Sequence, residues 1–161
     1  IEEGLACFEP VKGRSRAFGV QCQGHAITVV DDTYNANPDS VRAAIDVLAE
    51  LPAPRLLVLG DMGEVGTQGP EFHQEVGLHA AQKGIDHVLC LGDLAAHTAT
   101  ACGANAQHMT DIDALNQRVL QQLPQLGSVL VKGSRFMKME RVIDAISACH
   151  DNPQKETTPC Y

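Results

Sequence analysis

Tryptophan is absent from this 161-residue chain, and aromatic residues make up only 4% of it. This scarcity disfavours a base-stacking platform or an aromatic sugar-binding cleft. No run of about 18 apolar residues occurs, so the sequence predicts no membrane-spanning helix. Basic residues are also few, because 12 Lys and Arg stand against 20 Asp and Glu for a net charge of −8. We therefore expect neither nucleic acid nor an anionic membrane surface as a partner.

Two common catalytic signatures are missing as well. No Gly-Lys dipeptide occurs, which excludes the phosphate-gripping loop G-x-x-x-x-G-K-[ST], and no G-x-S-x-G nucleophile elbow is present. The six cysteines form no C-x-x-C pair, and neither they nor the seven histidines show metal-ligand spacing. We expect reduced thiols, a cytoplasmic location, no metal site, and no catalytic residue for a self-contained ATPase or hydrolase.

The apolar residues, 44% of the chain, fall into short runs that alternate with helical patterns. The unbroken runs 26–30, 56–59, 88–91 and 129–131 are typical of strands that are buried on both faces. Apolar residues at helical spacing predict helices around 41–48, 112–123 and 139–146, and one from 72 that ends near Lys83-Gly84. The Ala-rich stretch 94–101 predicts a further short helix. This alternation predicts an α/β fold, a three-layer α-β-α Rossmann-like domain with a mostly parallel sheet. A hairpin turn at 23–25 predicts an antiparallel edge strand over 16–22.

The two ends of the chain lack the alternating strand and helix patterns of its middle. The sequence starts at Ile1 without an initiating Met, and we expect it to be cut from a longer protein. Residues 1–12 are expected to end a preceding domain, and residues 13–150 to form the α/β domain. Residues 151–161 are polar with two prolines, which favours a flexible tail.

Three polar clusters follow predicted strands, where parallel α/β sheets bind their ligands. The first is Asp31-Asp32-Thr33-Tyr34-Asn35-Ala36-Asn37-Pro38. Its carboxylates could accept ribose hydroxyls or hold a metal, and the helix start that follows favours an anion. The same residue types also build ordinary turns, and Asn37 is a plausible N-cap with Pro38 in the first helical position.

The second cluster, Gly60-Asp61-Met62-Gly63-Glu64, departs from the dinucleotide pattern G-x-G-x-x-G, so a flexible glycine loop is at least as good an interpretation. The third, Lys132-Gly133-Ser134-Arg135, gathers two cations, a hydroxyl and a glycine. That combination suits a carboxylate or a phosphate, although a solvated turn would look the same. His79 falls on the apolar stripe of the second helix and is predicted to pack there.

Together the three clusters resemble the C-terminal domain of the Mur ligases, over a stretch from Gly13 to about Ile146. The Asp-Asp-x-Tyr-Asn-Ala-Asn-Pro string resembles the motif of one branch of that family. Members of this branch add D-alanyl-D-alanine to UDP-N-acetylmuramoyl-tripeptide during peptidoglycan precursor synthesis. The resemblance implies a dinucleotide-binding-like fold that closes over a central ATPase domain, with an N-terminal domain before it. It also implies ATP-dependent ligation through an acyl phosphate, with Mg²⁺ balancing the phosphate charge.

Site residues follow from the same resemblance. It implies that Arg14 and Asp32 contact the ribose side of ATP, with Tyr34, Asn35 and Asn37 in the loop beside them. It implies that Lys132, Ser134 and Arg135 bind D-alanyl-D-alanine, through its carboxylate. Because no phosphate-gripping loop is present, we expect the chain alone to be inactive and to hold no ligand tightly.

Two other interpretations compete with this one. Asp31-Asp32, Asp61 and Lys132 each follow a predicted strand, as the acidic pocket and lysine of a non-enzymatic signalling receiver domain do. Against that hypothesis, Gly60 stands where an apolar strand residue is usual, and Gly133 replaces an expected proline. A folylpolyglutamate synthase domain is the third interpretation, and it would need different residues in the Asp-rich loop.

Overall fold

The computed structural model describes residues 15–149, which form one six-stranded sheet with helices on both faces. The strands are β1 (Arg16–Cys22), β2 (His25–Asp32), β3 (Arg55–Gly60), β4 (His87–Leu91), β5 (Ala106–Met109) and β6 (Ser128–Lys132). The helices are α1 (Pro38–Leu48), α2 (Gly69–Gln82), α3 (Ala95–Cys102), α4 (Ile112–Gln122) and α5 (Glu140–Cys149). Arg14 and the expected end segments, 1–12 and 151–161, lie outside the described residues.

The sheet order is β1-β2-β6-β3-β4-β5, and every pair is parallel except β1 with β2. The predicted mostly parallel sheet with an antiparallel edge strand is therefore confirmed. Gln23 and Gly24 form the tight turn between β1 and β2, and both have positive φ, 55° and 78°. A two-residue turn of that kind matches the natural twist of the strands it joins.

Two hydrophobic cores lie on the two faces of the sheet and make the domain three-layered. One core receives Val41 and Ile45 of α1 and Val76 of α2, and the other receives Leu115 of α4 and Val142 of α5. The central strands bury side chains on both faces, as their unbroken apolar runs predict. Among residues 15–149, no helix is long and apolar enough to span a membrane.

Strand β5 has no counterpart in the sequence prediction. It is four residues long, Ala-Gln-His-Met, and pairs only with β4 at the far edge of the sheet. Its two middle residues are exposed, so neither an apolar run nor alternation marks it. Short polar edge strands of this kind resist pairing with other chains, which is a physical reason for their composition.

Among residues 15–149, Cys90, Cys102 and Cys149 are free thiols. Cys90 lies fully buried in the core beneath α2, where burial raises the pKa of its thiol far above the ordinary value. It packs as a small hydrophobic side chain, as its apolar neighbours in sequence indicate.

Candidate functional site

The sheet order brings the three polar clusters together. Strand β6 lies between β2 and β3, so the loops that follow these three strands meet at one edge of the sheet. The carboxyl edge of a parallel sheet is where this class of fold binds ligands. The clusters lie in distant parts of the sequence, and only the insertion of β6 between β2 and β3 makes them neighbours.

A buried ion pair joins the first cluster to the third. Asp32 and Lys132 are register partners at the ends of β2 and β6, and Lys132 Nζ lies 2.7 Å from Asp32 Oδ2. The ammonium also donates to the carbonyl of Asn35 at 3.1 Å. The other oxygen of Asp32 accepts hydrogen bonds from the backbone N–H of Ser15 at 3.0 Å and from its hydroxyl at 3.3 Å. The Asp32 carboxylate is thus fixed from both sides.

Asp31, the neighbour of Asp32, is fully buried and turns away from the ion pair. Its Oδ1 accepts hydrogen bonds from the hydroxyl of Thr33 at 2.7 Å and from the Thr33 N–H at 3.3 Å. Its Oδ2 lies 3.7 Å from the guanidinium of Arg16. These contacts give Asp31 a structural role, since they fold the chain at the end of β2 into a local turn.

Ser134 fastens all three loops to one another. Its hydroxyl oxygen accepts a hydrogen bond from the N–H of Gly63 and donates to the carbonyl of Ala36 at 3.4 Å. Its own N–H donates to the carbonyl of Asp61 at 3.0 Å. Because Ser134 is buried and its hydroxyl is used in these hydrogen bonds, it holds the three loops in place.

Close packing explains the glycines of the second and third clusters. A Cβ added to Gly133 would lie 2.5 Å from Met139 Cγ and 3.2 Å from the Gly60 Cα, and one added to Gly60 would lie 2.9 Å from Met139 Sδ. Met139 is fully buried above the ends of β3 and β6. The approach of Met139, and not an unusual backbone angle, therefore favours glycine at both positions.

Asn37 caps the start of helix α1. Its side-chain oxygen accepts a hydrogen bond from the Ser40 N–H at 2.8 Å, and the Ser40 hydroxyl accepts one from the Asn37 N–H at 3.0 Å. Pro38 takes the first helical position, so the predicted N-cap and proline are confirmed. This reciprocal capping holds the backbone of the loop at the rim of the site.

A cleft of about 570 Å³ opens beside Ser134. Its lining includes Asn35, Asn37, Arg42, Phe72, Ser134, Arg135 and Phe136. Arg135 is exposed, and no carboxylate among residues 15–149 forms an ion pair with it. Its guanidinium carbon lies 5.2 Å from the centre of the Tyr34 ring, a cation–π contact that leaves its donors available to a ligand.

Asp32 faces a different space. It lines a smaller and mostly apolar hollow of about 140 Å³, together with Ser15, Ala17 and Val47. The residues expected on the nucleotide side are therefore divided, because Asn35 and Asn37 line the cleft while Asp32 lines the hollow. The Lys132 side chain stands between the two spaces and lines neither.

The loop after β3 is held by two buried polar residues. Asp61 Oδ1 accepts a hydrogen bond from the N–H of Ala95 at 2.7 Å, so this carboxylate caps the start of α3. His73 accepts the Met62 N–H at its Nε2, 3.0 Å away, and its Nδ1 lies 2.8 Å from the carbonyl of Gly69. A carbonyl can only accept, so the proton is on Nδ1 and the imidazole is neutral. Burial also lowers the pKa of His73.

The prediction for His79 is wrong. His79 is partly exposed and its Nε2 bonds to Asp46 Oδ1 at 2.8 Å, which ties α2 to α1. The packed histidine of α2 is His73, which is fully buried and lies nearer the start of the helix. The buried residues of α2 are Gly69, His73, Val76, Gly77 and Ala80, at spacings of three and four, so His73 lies on the buried stripe and His79 lies beside it.

Arg42 and Phe136 are cleft residues that the sequence analysis missed. Arg42 is one turn into α1, and helical side chains lean toward the helix N-terminus, so it reaches back to the rim. Phe136 follows Arg135 directly and is 65% exposed. The signal available in the sequence was an aromatic residue directly after a basic motif, and its exposure is known only from the structure.

The described residues contain no group of three or more His, Cys, Asp or Glu that could hold a metal ion. The Asp61 carboxylate accepts a hydrogen bond from the Ala95 N–H at the start of α3, and Lys132 forms an ion pair with Asp32. The four residues that suggest a receiver domain, Asp31, Asp32, Asp61 and Lys132, therefore do not form an acidic pocket around a lysine.

An open α/β sheet with its ligand-facing loops gathered at the carboxyl edge defines a Rossmann-like binding domain. Residues 14–135 match the family model described as Mur ligase, glutamate ligase domain. The chain therefore belongs to the Mur ligase family, which rules out the receiver interpretation.

Similar proteins agree with this assignment. The Escherichia coli UDP-N-acetylmuramoyl-tripeptide–D-alanyl-D-alanine ligase is 41% identical over 91% of this chain and 32% of its own length. The crystal structure of MurF from Acinetobacter baumannii has a TM-score of 0.78 at 30% identity, over 90% of this chain and 33% of that one. MurF from Thermotoga maritima, solved in complex with ADP, has a TM-score of 0.71 at 25% identity, with 90% and 33% covered. The chain thus spans about a third of the length of the curated relatives that it matches.

Proposed function

We propose that this chain acts as the C-terminal domain of an ATP-dependent ligase that joins D-alanyl-D-alanine to UDP-N-acetylmuramoyl-tripeptide. The names of the curated relatives support this activity, and the ADP complex of the Thermotoga relative supports ATP as the phosphoryl donor. ATP phosphorylates the terminal carboxylate of the tripeptide. The dipeptide amine then attacks the acyl carbon, loses a proton, and expels phosphate to leave the new amide bond.

The nucleotide and the dipeptide are assigned to different spaces. Asp32 accepts the ribose hydroxyls of ATP at the mouth of the hollow, and Arg14 is proposed as a second contact to the nucleotide. The cleft takes D-alanyl-D-alanine, and Arg135 binds its carboxylate by charge-assisted hydrogen bonds. Tyr34 supports Arg135 through its ring, while Ser134, Asn35 and Asn37 set the shape of the cleft wall.

The observation that carries this proposal is the exposed guanidinium of Arg135 at a cleft built from all three family motifs. The described residues do not fit a Mg²⁺ site, so we derive no step through the ion. Mg²⁺ and the phosphates would be held by the central ATPase domain that we propose precedes this one. A cytoplasmic location follows from the cytoplasmic nature of the proposed substrates.

The test uses the complete ligase that carries this domain. We expect phosphate release only when ATP, the UDP-linked tripeptide and D-alanyl-D-alanine are all present. Arg135→Met should raise KM for the dipeptide by about tenfold or more and leave KM for ATP nearly unchanged. Phosphate release that is independent of the dipeptide, or an Arg135→Met enzyme with unchanged dipeptide KM, would contradict the proposal.

A further inference from the structure

Lys132 is the most enclosed cation of the site. It is 3% exposed, and its ammonium donates both to Asp32 Oδ2 and to the carbonyl of Asn35. An ammonium has three N–H donors, so two of the three are used inside the domain. A ligand carboxylate in the cleft would have to displace these partners to reach Lys132, whereas Arg135 is already exposed there.

The partner of Lys132 depends on it for orientation. The Asp32 carboxylate is held between Lys132 on one side and the N–H of Ser15 on the other, and its side chain is only 13% exposed. Buried charge pairs of this kind are strongly destabilised when one partner is removed, because the remaining charge is left uncompensated. Without the ammonium, Asp32 would keep only its hydrogen bonds to Ser15, and its Oδ2 would be left without a partner.

We propose that Lys132 is a positioning residue that acts on the nucleotide through Asp32, and not a ligand of the dipeptide carboxylate. This inference rests on the proposed function, since it takes Asp32 as the ribose contact and Arg135 as the dipeptide contact. The second bond, from Lys132 to Asn35, anchors the loop that separates the hollow from the cleft. A single ammonium thus holds the nucleotide-facing carboxylate and one wall of the dipeptide cleft in fixed relation.

A double-mutant cycle in the complete ligase tests this role. We expect Lys132→Met to raise KM for ATP by about tenfold or more, with a smaller effect on KM for the dipeptide. Asp32→Asn alone should raise KM for ATP to a similar degree. In the Asp32→Asn background, Lys132→Met should add less than about twofold, because the residue through which it acts is already altered.

Lys138→Met is the matched control, since Lys138 is an exposed lysine six positions away, and it should leave both KM values unchanged. Thermal unfolding shows whether Lys132→Met folds, and if it does not, Lys132→Gln is used instead. The shorter carboxamide retains a donor for Asp32 and should give a smaller rise in the ATP KM.

Three outcomes would overturn the proposal. A rise in the dipeptide KM with an unchanged ATP KM would show that Lys132 binds the dipeptide directly. Fully multiplicative effects of Lys132→Met and Asp32→Asn on the ATP KM would show that the two residues act independently. An unsubstituted enzyme that fails to use D-alanyl-D-alanine would overturn the proposed function as well, so the two failures are distinguishable.

Discussion

The backbone N–H of Met62 donates to Nε2 of His73 across 3.0 Å, so a neutral histidine secures the loop that carries Gly63. Protonation of Nε2 would put two hydrogens face to face and break this contact. The loop lines the cleft, and its geometry therefore depends on an imidazole that must stay uncharged.

A pH dependence of stability follows from His73. Burial lowers its pKa below the ordinary value of 6.5, so the unfolded chain takes up the proton more readily than the folded one. The stabilisation is fully present above pH 6.5 and is lost as pH falls toward the folded pKa. Chemical denaturation at pH 7.5 and pH 5 should show His73→Phe losing part of the wild-type pH slope. His87→Phe, at the opposite edge of the sheet, should keep the wild-type slope; an unchanged slope in His73→Phe would refute the assignment.

Asn37→Ala tests the cap of α1. Loss of an N-cap costs about 1 kcal/mol of unfolding free energy. Asp111 caps α4 by accepting the Ala114 N–H at 2.8 Å, away from the cleft, so Asp111→Ala is the matched control. Both variants should lose similar stability in denaturant titrations, and only Asn37→Ala should raise KM for a substrate of the complete ligase. Equal KM values in the two variants would mean that the cap does not shape the cleft.

Gly133→Ala should destabilise the domain by about 1–3 kcal/mol, because the added methyl group overlaps Met139 and the Gly60 backbone. Gly19→Ala in β1 is the control, since the nearest atom to its new Cβ would be 3.9 Å away. Urea denaturation compares the two. A Gly133→Ala variant as stable as Gly19→Ala would show that Met139 moves aside at little cost.

The Tyr34 ring should support Arg135 through its face. Cation–π contacts at exposed sites contribute about 0.5–1 kcal/mol, which corresponds to a two- to fivefold effect on binding. Tyr34→Leu should therefore raise KM for the dipeptide by that factor, and Tyr34→Phe should not, because it retains the ring. Steady-state kinetics of the complete ligase measure both. Equal losses in the two variants would assign the effect to the hydroxyl instead.

The parts of the fold that could be predicted from sequence are those with strong local signals. Unbroken apolar runs predicted β2, β3, β4 and β6, and the helical spacing of apolar residues such as Val41 and Ile45 predicted α1. The polar four-residue strand β5 has no such signal, since its formation depends on the β4 edge that it pairs with. The order of the strands is likewise set by packing between distant segments and not by any local pattern.

In the candidate site, too, some features could be predicted from local motifs and others could not. Motifs predicted which loops would matter, and the structure brings all three together at one edge. Motifs could not show that Lys132 points inward to Asp32 while its near neighbour Arg135 points outward. That difference arises from the register of β2 against β6, which puts Asp32 beside Lys132, a long-range relationship that residue type does not encode.

The position of β6 has a consequence for synthesis on the ribosome. Strands β1 and β2 can pair as soon as they emerge, and β3, β4 and β5 can pair with each other, but β2 and β3 touch only through β6. Until Ser128–Lys132 has been made, the strands of this domain can form only two separate sheets, β1-β2 and β3-β4-β5. The edges of β2 and β3 then have unpaired backbone N–H and C=O groups, and such edges are sites where aggregation starts. The strand that completes the binding site is thus also the one that closes the sheet.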